Sequence, residues 1–450
     1  MNAYPVKKEA AVMRKKYGIL FLAVCLLLLT GCLKSTEELY ALPKQSDEYQ
    51  ELQQAISAVL SPDAEYSAPI SGSNRQAIQL ADLDGDGENE AIAFLKTTGE
   101  MPLKAYIFKS MDGSYQNSAI IEGNGSSFQS VEYLQLDGAG GQELVIGWQV
   151  SNQVTKAVSV YSLRPDGMIE LMNASCTEYR SVDMEGDGRS ELFLLRFNAE
   201  EQTGVAELYS YRDGALERQP EAQLSQGISA IKRIITGFVT ENVPAVFVAS
   251  SYEESHIVTD VFAVRDGVFQ NIASRNENGM ASTVRDYFVY AADVDSDGLI
   301  ELPNPVPLMP TTESAASYWA IEWYNLNLEG ERIKKLRTYH NFQASGGWYL
   351  ELPDEWRSLV IYRGNNVGSV AGYVFAIWNE RGESEELFTI YAFTGSRRGE
   401  LAESDGRFAL GQKGETTYAA SLGAKGNDLT EERLRSLFHF IKIDWNTGET

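Results

Sequence analysis

Along most of the chain, short apolar or alternating apolar-polar runs are separated by clusters of Asp, Gly, Asn and Ser, the signature of strands joined by turns. Typical runs are Ala91-Ile-Ala-Phe-Leu95 and Leu192-Phe-Leu-Leu195, each directly after an acidic, glycine-containing segment. Helical spacing is confined to two places. From Ser46, a candidate N-cap, the residues Tyr49, Leu52, Ile56, Val59 and Leu60 recur at spacings of three, four and seven, which predicts a short helix over 46–62. Near the other end, Asp428 with Glu431 three residues on precedes an apolar face of Leu434, Leu437, Phe438 and Ile441, which predicts a second helix capped by Asp428.

The strand pattern repeats. Four segments share one shape, beginning at Asp82, Gln135, Asp183 and Asp293 and ending eight residues later at Glu90, Glu143, Glu191 and Glu301. Downstream come Asp112-Gly113, Asp166-Gly167, Asp213-Gly214 and Asp266-Gly267, which read as hairpin turns because glycine after aspartate tolerates positive φ. From loop start to turn the offsets are 30, 31 and 30 residues in the first three repeats. Counting 30 back from Asp266 reaches Thr236, where no acidic loop exists but Ile234-Ile235 and Ala245-Val-Phe-Val248 supply flanking strands. A degenerate repeat is therefore expected there. The loop at Asp293 finds its own turn at Glu329-Gly330, and a sixth unit is expected from Trp348 to Leu352 through Glu380-Arg-Gly382 to Leu387 to Tyr391.

Repeat starts near 82, 135, 183, 236, 293 and 351 give a period of 48 to 58 residues with about four strands in each. One propeller blade needs four strands at this period. The expected fold is all-β, a β-propeller of about six four-stranded blades over residues 63–395, with five or seven as alternatives. A C-terminal α+β cap is expected over 396–450, built from Phe408-Ala-Leu410, Tyr418 to Ser421 and the second helix. The acidic loops and their period resemble the FG-GAP or VCBS-type repeats of integrin α-subunit propellers and many bacterial surface proteins, over about residues 70 to 395.

In Asp-x-Asp-x-Asp-Gly-x-x-Glu, alternate carboxylates can converge on a hard cation, the glycine permits the sharp bend, and the last carboxylate closes the cage from the next strand. Without a cation, such carboxylates repel one another. Calcium is the expected ion, with a structural part to play. Its strongest candidate ligands are Asp82, Asp84, Asp86 and Glu90, and Asp293, Asp295, Asp297 and Glu301; Asp183, Glu185, Asp187 and Glu191 come next. The loop at Gln135 keeps only Asp137 and Glu143 and is expected to be empty. The plainer reading is that Asp and Gly serve as turn formers.

At the N-terminus, Lys7, Lys8, Arg14, Lys15 and Lys16 precede an apolar run from Gly18 to Leu29 that ends in Thr30-Gly31-Cys32. This is the layout of an export signal. The run is shorter than the ~20 residues a membrane span needs. Leu29-Thr30-Gly31-Cys32 resembles the lipobox of bacterial lipoproteins, which implies a signal peptide over 1–31, Cys32 as the lipidated residue, and attachment to the extracytoplasmic face of the cell membrane. Residues 32–45 read as a polar tether. Residues 1–31 carry five Lys or Arg and one Glu, so removing them takes the formal net charge from −25 to −29. Such a surface repels nucleic acid and anionic lipid. With Cys25 in the signal and Cys32 lipidated, Cys176 has no partner for an internal disulfide and reads as a small core residue.

No catalytic constellation is visible. His256, His340 and His439 are far apart and in no metal-ligand spacing. Gly-x-Ser-x-Gly, phosphate-binding glycine loops and His-Glu-x-x-His are all missing. The expectation is a lipid-anchored binding or scaffold protein for a carbohydrate or extracytoplasmic protein ligand. A polysaccharide-acting glycosidase or lyase and an accessory subunit of a membrane complex are the alternatives. Trp148, Trp319, Trp323, Trp348, Trp356 and Trp378 could stack on sugars or fill blade cores.

Overall fold

A computed structural model describes residues 47–111, 114–150, 156–253, 255–273, 281–286, 289–308, 318–341, 347–367, 370–378, 383–424 and 429–442. The signal, Cys32, the tether, Ser46 and the turns at Asp112-Gly113 and Glu380 to Gly382 lie outside the described residues. The chain divides into two compact units, residues 1–60 with 110–116, and residues 61–109 with 117–450. In the first, helix α1 (Asp47–Val59) takes the expected place, with Leu52 and Ile56 of its apolar stripe buried. No described helix is long and apolar enough to cross a membrane.

Six antiparallel sheets follow one another along the chain, and apart from residues 110–116 they belong to the second unit. The first contains β1 (Glu65–Tyr66), β2 (Ile78–Ala81), β3 (Glu90–Lys96), β4 (Leu103–Met111) and β5 (Ser114–Gly123). The second runs β6 (Ser127–Leu134), β7 (Glu143–Gln149), β8 (Lys156–Arg164) and β9 (Gly167–Cys176). The third has β10 (Glu178–Val182), β11 (Glu191–Asn198), β12 (Thr203–Arg212), β13 (Ala215–Arg218) and the short β14 (Ala222–Gln223). The fourth is β15 (Ile228–Thr240), β16 (Val243–Tyr252), β17 (His256–Arg265) and β18 (Val268–Asn271). The fold is all-β, a β-propeller of six blades, each a sheet of four to five strands.

Burial follows strand position within a blade. The second strands β3, β7 and β11 are continuously buried on both faces over at least five residues, whereas the outer strand β5 is exposed along most of its length. Neighbouring blades meet through aromatic side chains. Phe94 packs edge-on to Phe128 at 5.0 Å between the first and second blades, and Phe193 lies 5.5 Å from Phe262 between the third and fourth. Trp148, Trp323, Trp348 and Trp356 are all buried, so these four fill cores.

The degenerate repeat is the fourth blade. Ile234-Ile235 and Ala245 to Val248 lie on β15 and β16, and a tight turn at Glu241-Asn242 replaces the acidic loop. Asp213-Gly214 and Asp266-Gly267 form the expected two-residue turns, with φ of 49° and 92°, and 52° and 74°. Positive φ at both positions matches the twist of the flanking strands.

The last third differs from expectation. The fifth sheet runs β19 (Leu302–Pro307), β20 (Trp319–Leu326), β21 (Arg332–Asn341), β22 (Trp348–Glu351) and finally β28 (Phe438–Phe440). Trp348 to Glu351, expected to open the sixth unit, pairs instead with β21. Pro353 has no N–H to continue the ladder, and a 3₁₀ turn at Asp354–Trp356 follows it. The sixth sheet starts at Leu359 and runs β23 (Leu359–Val367), β24 (Val370–Trp378), β25 (Ser384–Phe393), β27 (Thr416–Leu422) and β26 (Phe408–Lys413), with α2 (Arg398–Glu403) before β26. The stretch expected as a cap therefore supplies two strands to the sixth blade and one to the fifth. Helix α3 (Glu431–Leu437) is capped by the Thr430 hydroxyl, which accepts from Arg433 N–H; the expected cap, Asp428, lies outside the described residues.

Consecutive acidic loops touch. The Gln142 N–H donates to the Asp82 carbonyl at 2.9 Å, and the Ser190 N–H donates to the Gln135 carbonyl at 2.8 Å. Each joins the eighth residue of one loop to the first of the preceding one. A Cβ on Gly141 would lie 2.4 Å from the Leu83 carbonyl oxygen, whereas one on Gly186, at φ +71°, meets open space. Gly141→Ala is expected to cost more than about 2 kcal/mol by overpacking and Gly186→Ala about 1 kcal/mol by backbone strain, read from urea unfolding of both variants.

Candidate metal loops and a basic cavity

The acidic loops join β2 to β3, β6 to β7 and β10 to β11 in the first three blades, and at the fifth the loop lies directly before β19; each is shaped by its own carboxylates. Asp82 accepts from Gly85 N–H at 2.7 Å and from Gly87 N–H at 3.1 Å. Asp84 and Asp86 accept from the N–H two residues on. At the fifth blade, Asp293, Asp295 and Asp297 accept from Gly298, Asp297 and Leu299 N–H in the same pattern.

The ninth-position glutamate does something sequence reasoning did not anticipate. Glu90, Glu143, Glu191 and Glu301 are all buried. In each loop its Oε2 accepts the backbone N–H of the second residue: Leu83 at 2.8 Å, Leu136 at 3.0 Å, Met184 at 2.7 Å and Val294 at 2.8 Å. Burial raises all four carboxyls above their ordinary value, against the pull of that N–H, and takes Glu191 and Glu301 up to about 7. These glutamates tie the loop's entry to its exit.

Carboxylate oxygens of Asp82, Asp84 and Asp86 lie within 4.8 Å of one another, as do those of Asp293, Asp295 and Asp297. All donors are hard oxygens at a glycine-bearing turn, so both triads could hold a metal such as calcium. Among the described residues, neither Glu90 nor Glu301 belongs to these groups. Nor do the carboxylates of the third loop gather. Asp187 pairs with Arg189 at 2.9 Å, and Glu185 with Arg212 at 2.6 Å and Gln219 at 3.1 Å.

The protein also carries its own cations to these loops. Lys109 Nζ contacts Asp84, lies 2.7 Å from Asp86, and is 3.9 Å from Glu90. Arg164 meets Asp137 at 2.5 Å, Arg212 meets Glu185, and Lys335 meets Asp297 at 2.6 Å. In the first three blades this base lies near the end of the third strand, one to three residues before an Asp-Gly pair in the sequence. That spacing was present in the sequence and is the signal that could have found it. In the fourth blade, which has no acidic loop, Arg265 holds the same place and donates instead to the Leu328 carbonyl at 3.0 Å.

A cavity of about 1010 Å³ opens elsewhere, among residues 175–234 of the second to fourth blades. It is lined by the start of β10, the end of β11, the start of β12 and the first half of β15. In the third blade Glu178 pairs with Leu195 at the cavity end, while Val182 pairs with Glu191 at the acidic-loop end. Cavity and acidic loop thus lie at opposite ends of the same strands. Cys176 borders the cavity but is buried, which pushes its thiol up to about 12 and leaves it protonated. His340 is buried and held neutral, its imidazole pushed down to about 3. His256 meets Asp286 at 3.0 Å and His439 meets Glu351 at 2.9 Å.

No protein-family model and no curated protein matches the chain. Among solved structures, the exotype rhamnogalacturonan lyase YesX is 13% identical over 75% of this chain and 68% of its own, with a TM-score of 0.27. Rhamnogalacturonan lyase YesW is 10% identical over 71% and 83%, with a TM-score of 0.29. The Bacillus licheniformis rhamnogalacturonan lyase PL11 is 11% identical over 76% and 85%, also at 0.29. Superpositions this loose assign no residue of this chain a role.

Two measurements check the loops. Glu191 has a raised carboxyl, so the folded state holds its proton more tightly than the unfolded chain; its contribution to stability grows as pH falls below about 7 and is lost as pH rises through that value. Glu191→Gln keeps an acceptor without the buried charge. Relative to wild type it should melt higher at about pH 8 than at about pH 5, while Glu191→Ala should lose about 1–3 kcal/mol by stranding the Met184 N–H. For the triads, calcium should raise the melting temperature and EGTA should reverse the rise. Lys109→Met, lacking the internal ammonium, should melt lower in EGTA and gain more from calcium than wild type.

Proposed function

We propose that the chain is a lipid-anchored extracytoplasmic binding or scaffold protein, held to the membrane through Cys32, which displays its propeller to a carbohydrate or protein ligand. The observation that carries this reading is the large cavity among the second to fourth blades, at the end of the third blade's strands opposite its acidic loop. It combines polar side chains with the half-buried ring of Phe197, and its volume is that of a ligand site. Calcium in the Asp82 and Asp293 loops stiffens the blades at the opposite strand ends and takes no part in chemistry. Nucleic acid is disfavoured by the acidic surface.

A polysaccharide-cleaving reading would place a pair of carboxylates, or a carboxylate and a base, against the ligand. Among the described residues, the one acidic side chain that lines the cavity, Glu178, is ion-paired with Lys156 and lies 3.7 Å from Arg180. This ordering favours binding over catalysis.

The test is capture from the source cell envelope on a soluble form beginning at Leu33, in calcium and again in EGTA, reading proteins and glycans. A specific glycan or protein retained in calcium is the expected result, with less retained in EGTA if the loops set blade rigidity. Nothing retained in either buffer would overturn the binding reading and turn attention to lyase and glycosidase assays.

A further inference from the structure

The geometry points to an acidic saccharide, one carrying carboxylate groups spaced along a chain of sugar rings, as the ligand of this cavity. The inference rests on the binding reading above and narrows it to a chemical class. The whole chain has a formal net charge of −25, yet among the described residues the cavity is lined by Arg180, Arg196, Lys232 and Arg233 against the single carboxylate of Glu178. Glu200 and Glu201, at the nearby loop tip, do not line it.

Nor do the neighbouring carboxylates cancel this charge. Glu178 is shared between Lys156 and Arg180. Glu207 is shared between Arg196, at 3.1 Å, and Arg218, at 2.7 Å. Each carboxylate thus faces two cations, and Lys232 stands exposed beside them. Arg233 is buried, its guanidinium 5.9 Å from the centre of the Tyr290 ring, which does not line the cavity, so the charge open to a ligand is that of Arg180, Arg196 and Lys232. A local positive field inside an acidic protein selects for anionic groups, because a neutral ligand gains nothing from it.

The remaining lining distinguishes among anions. The basic groups come from three separate strands, β10, β11 and β15. Cations carried on separate strands suit a ligand whose charges sit on separate rings rather than on one group. Asn198 and Thr203 offer hydrogen bonds for hydroxyls, and Phe197 offers an apolar face on which a ring can rest. A densely charged polyphosphate would meet the acidic field of the rest of the surface without using the hydroxyl and aromatic contacts.

The experiment is calorimetric titration of the full chain in detergent with uronic-acid oligosaccharides, with the same oligosaccharides reduced to their neutral sugars, and with a glycerol-phosphate polymer. The expected result is binding of the uronate oligomers that weakens as salt rises, with the neutral forms at least about tenfold weaker. Lys232→Ala and Arg196→Gln, both at exposed positions, should each weaken uronate binding about three- to tenfold. Because a variant could lose binding through misfolding, wild-type Lys232 is also probed by amine labelling, from which bound uronate oligomer should protect it. Equal binding of charged and neutral forms, preference for the phosphate polymer, unprotected Lys232, or no binding of any uronate oligomer would each overturn the inference. If a neutral glycan or a protein is nevertheless retained in the envelope capture, the binding reading stands and only the charge assignment falls.

Discussion

The hydrogen bond from the second residue of each acidic loop to the buried glutamate at its ninth position is what the blade edges depend on. In the first three blades a loop of this length must turn the chain into a strand that is itself buried, and it has more backbone N–H groups than a strand ladder can satisfy. The carboxylates at the odd positions take those within the loop. Glu90, Glu143, Glu191 and Glu301 take the one facing the core. With entry and exit tied, the outer surface of the loop has a fixed shape. That is why the Asp82 and Gln135 carbonyls can meet the N–H groups of Gln142 and Ser190 in the next blade.

The same arrangement changes how the acidity of the loops should be understood. A run of carboxylates at a turn looks from the sequence like a demand for calcium. In the folded protein the demand is already partly met by Lys109 and Lys335, and at the weaker loops by Arg164 and Arg212. A metal entering the Asp82 or Asp293 triad competes with an ammonium rather than filling a purely repulsive hole. The loops are then graded by geometry more than by number of acids. The third has as many carboxylates as the loop at Asp293, but its Arg189 and Arg212 draw them apart.

Much of this fold was legible in the sequence because its marks are local. An Asp-Gly dipeptide tolerates the positive φ a tight turn needs, so Asp213-Gly214 and Asp266-Gly267 revealed a blade even where the acidic loop had vanished. What could not be read was long-range pairing. Trp348 to Glu351 has the same strand-like pattern whether it opens one sheet or closes another, and only its pairing with Asn341 and Phe440 decides. The glutamates were legible as acids but not as buried hydrogen-bond acceptors, since a carboxylate at the start of a strand has the same letter in either setting. The cavity was invisible because Arg180, Arg196 and Lys232 come from three strands with no shared spacing.

The strand β28 also sets the order in which the molecule can be finished. It lies at Phe438–Phe440 yet pairs with β22 at Trp348–Glu351, and the whole sixth sheet is encoded between them. A chain made from its N-terminus therefore completes four blades while the fifth still shows a bare edge. An open edge of that kind invites pairing with another chain. Its own partner arrives almost last, as a clasp closed after the garment is on.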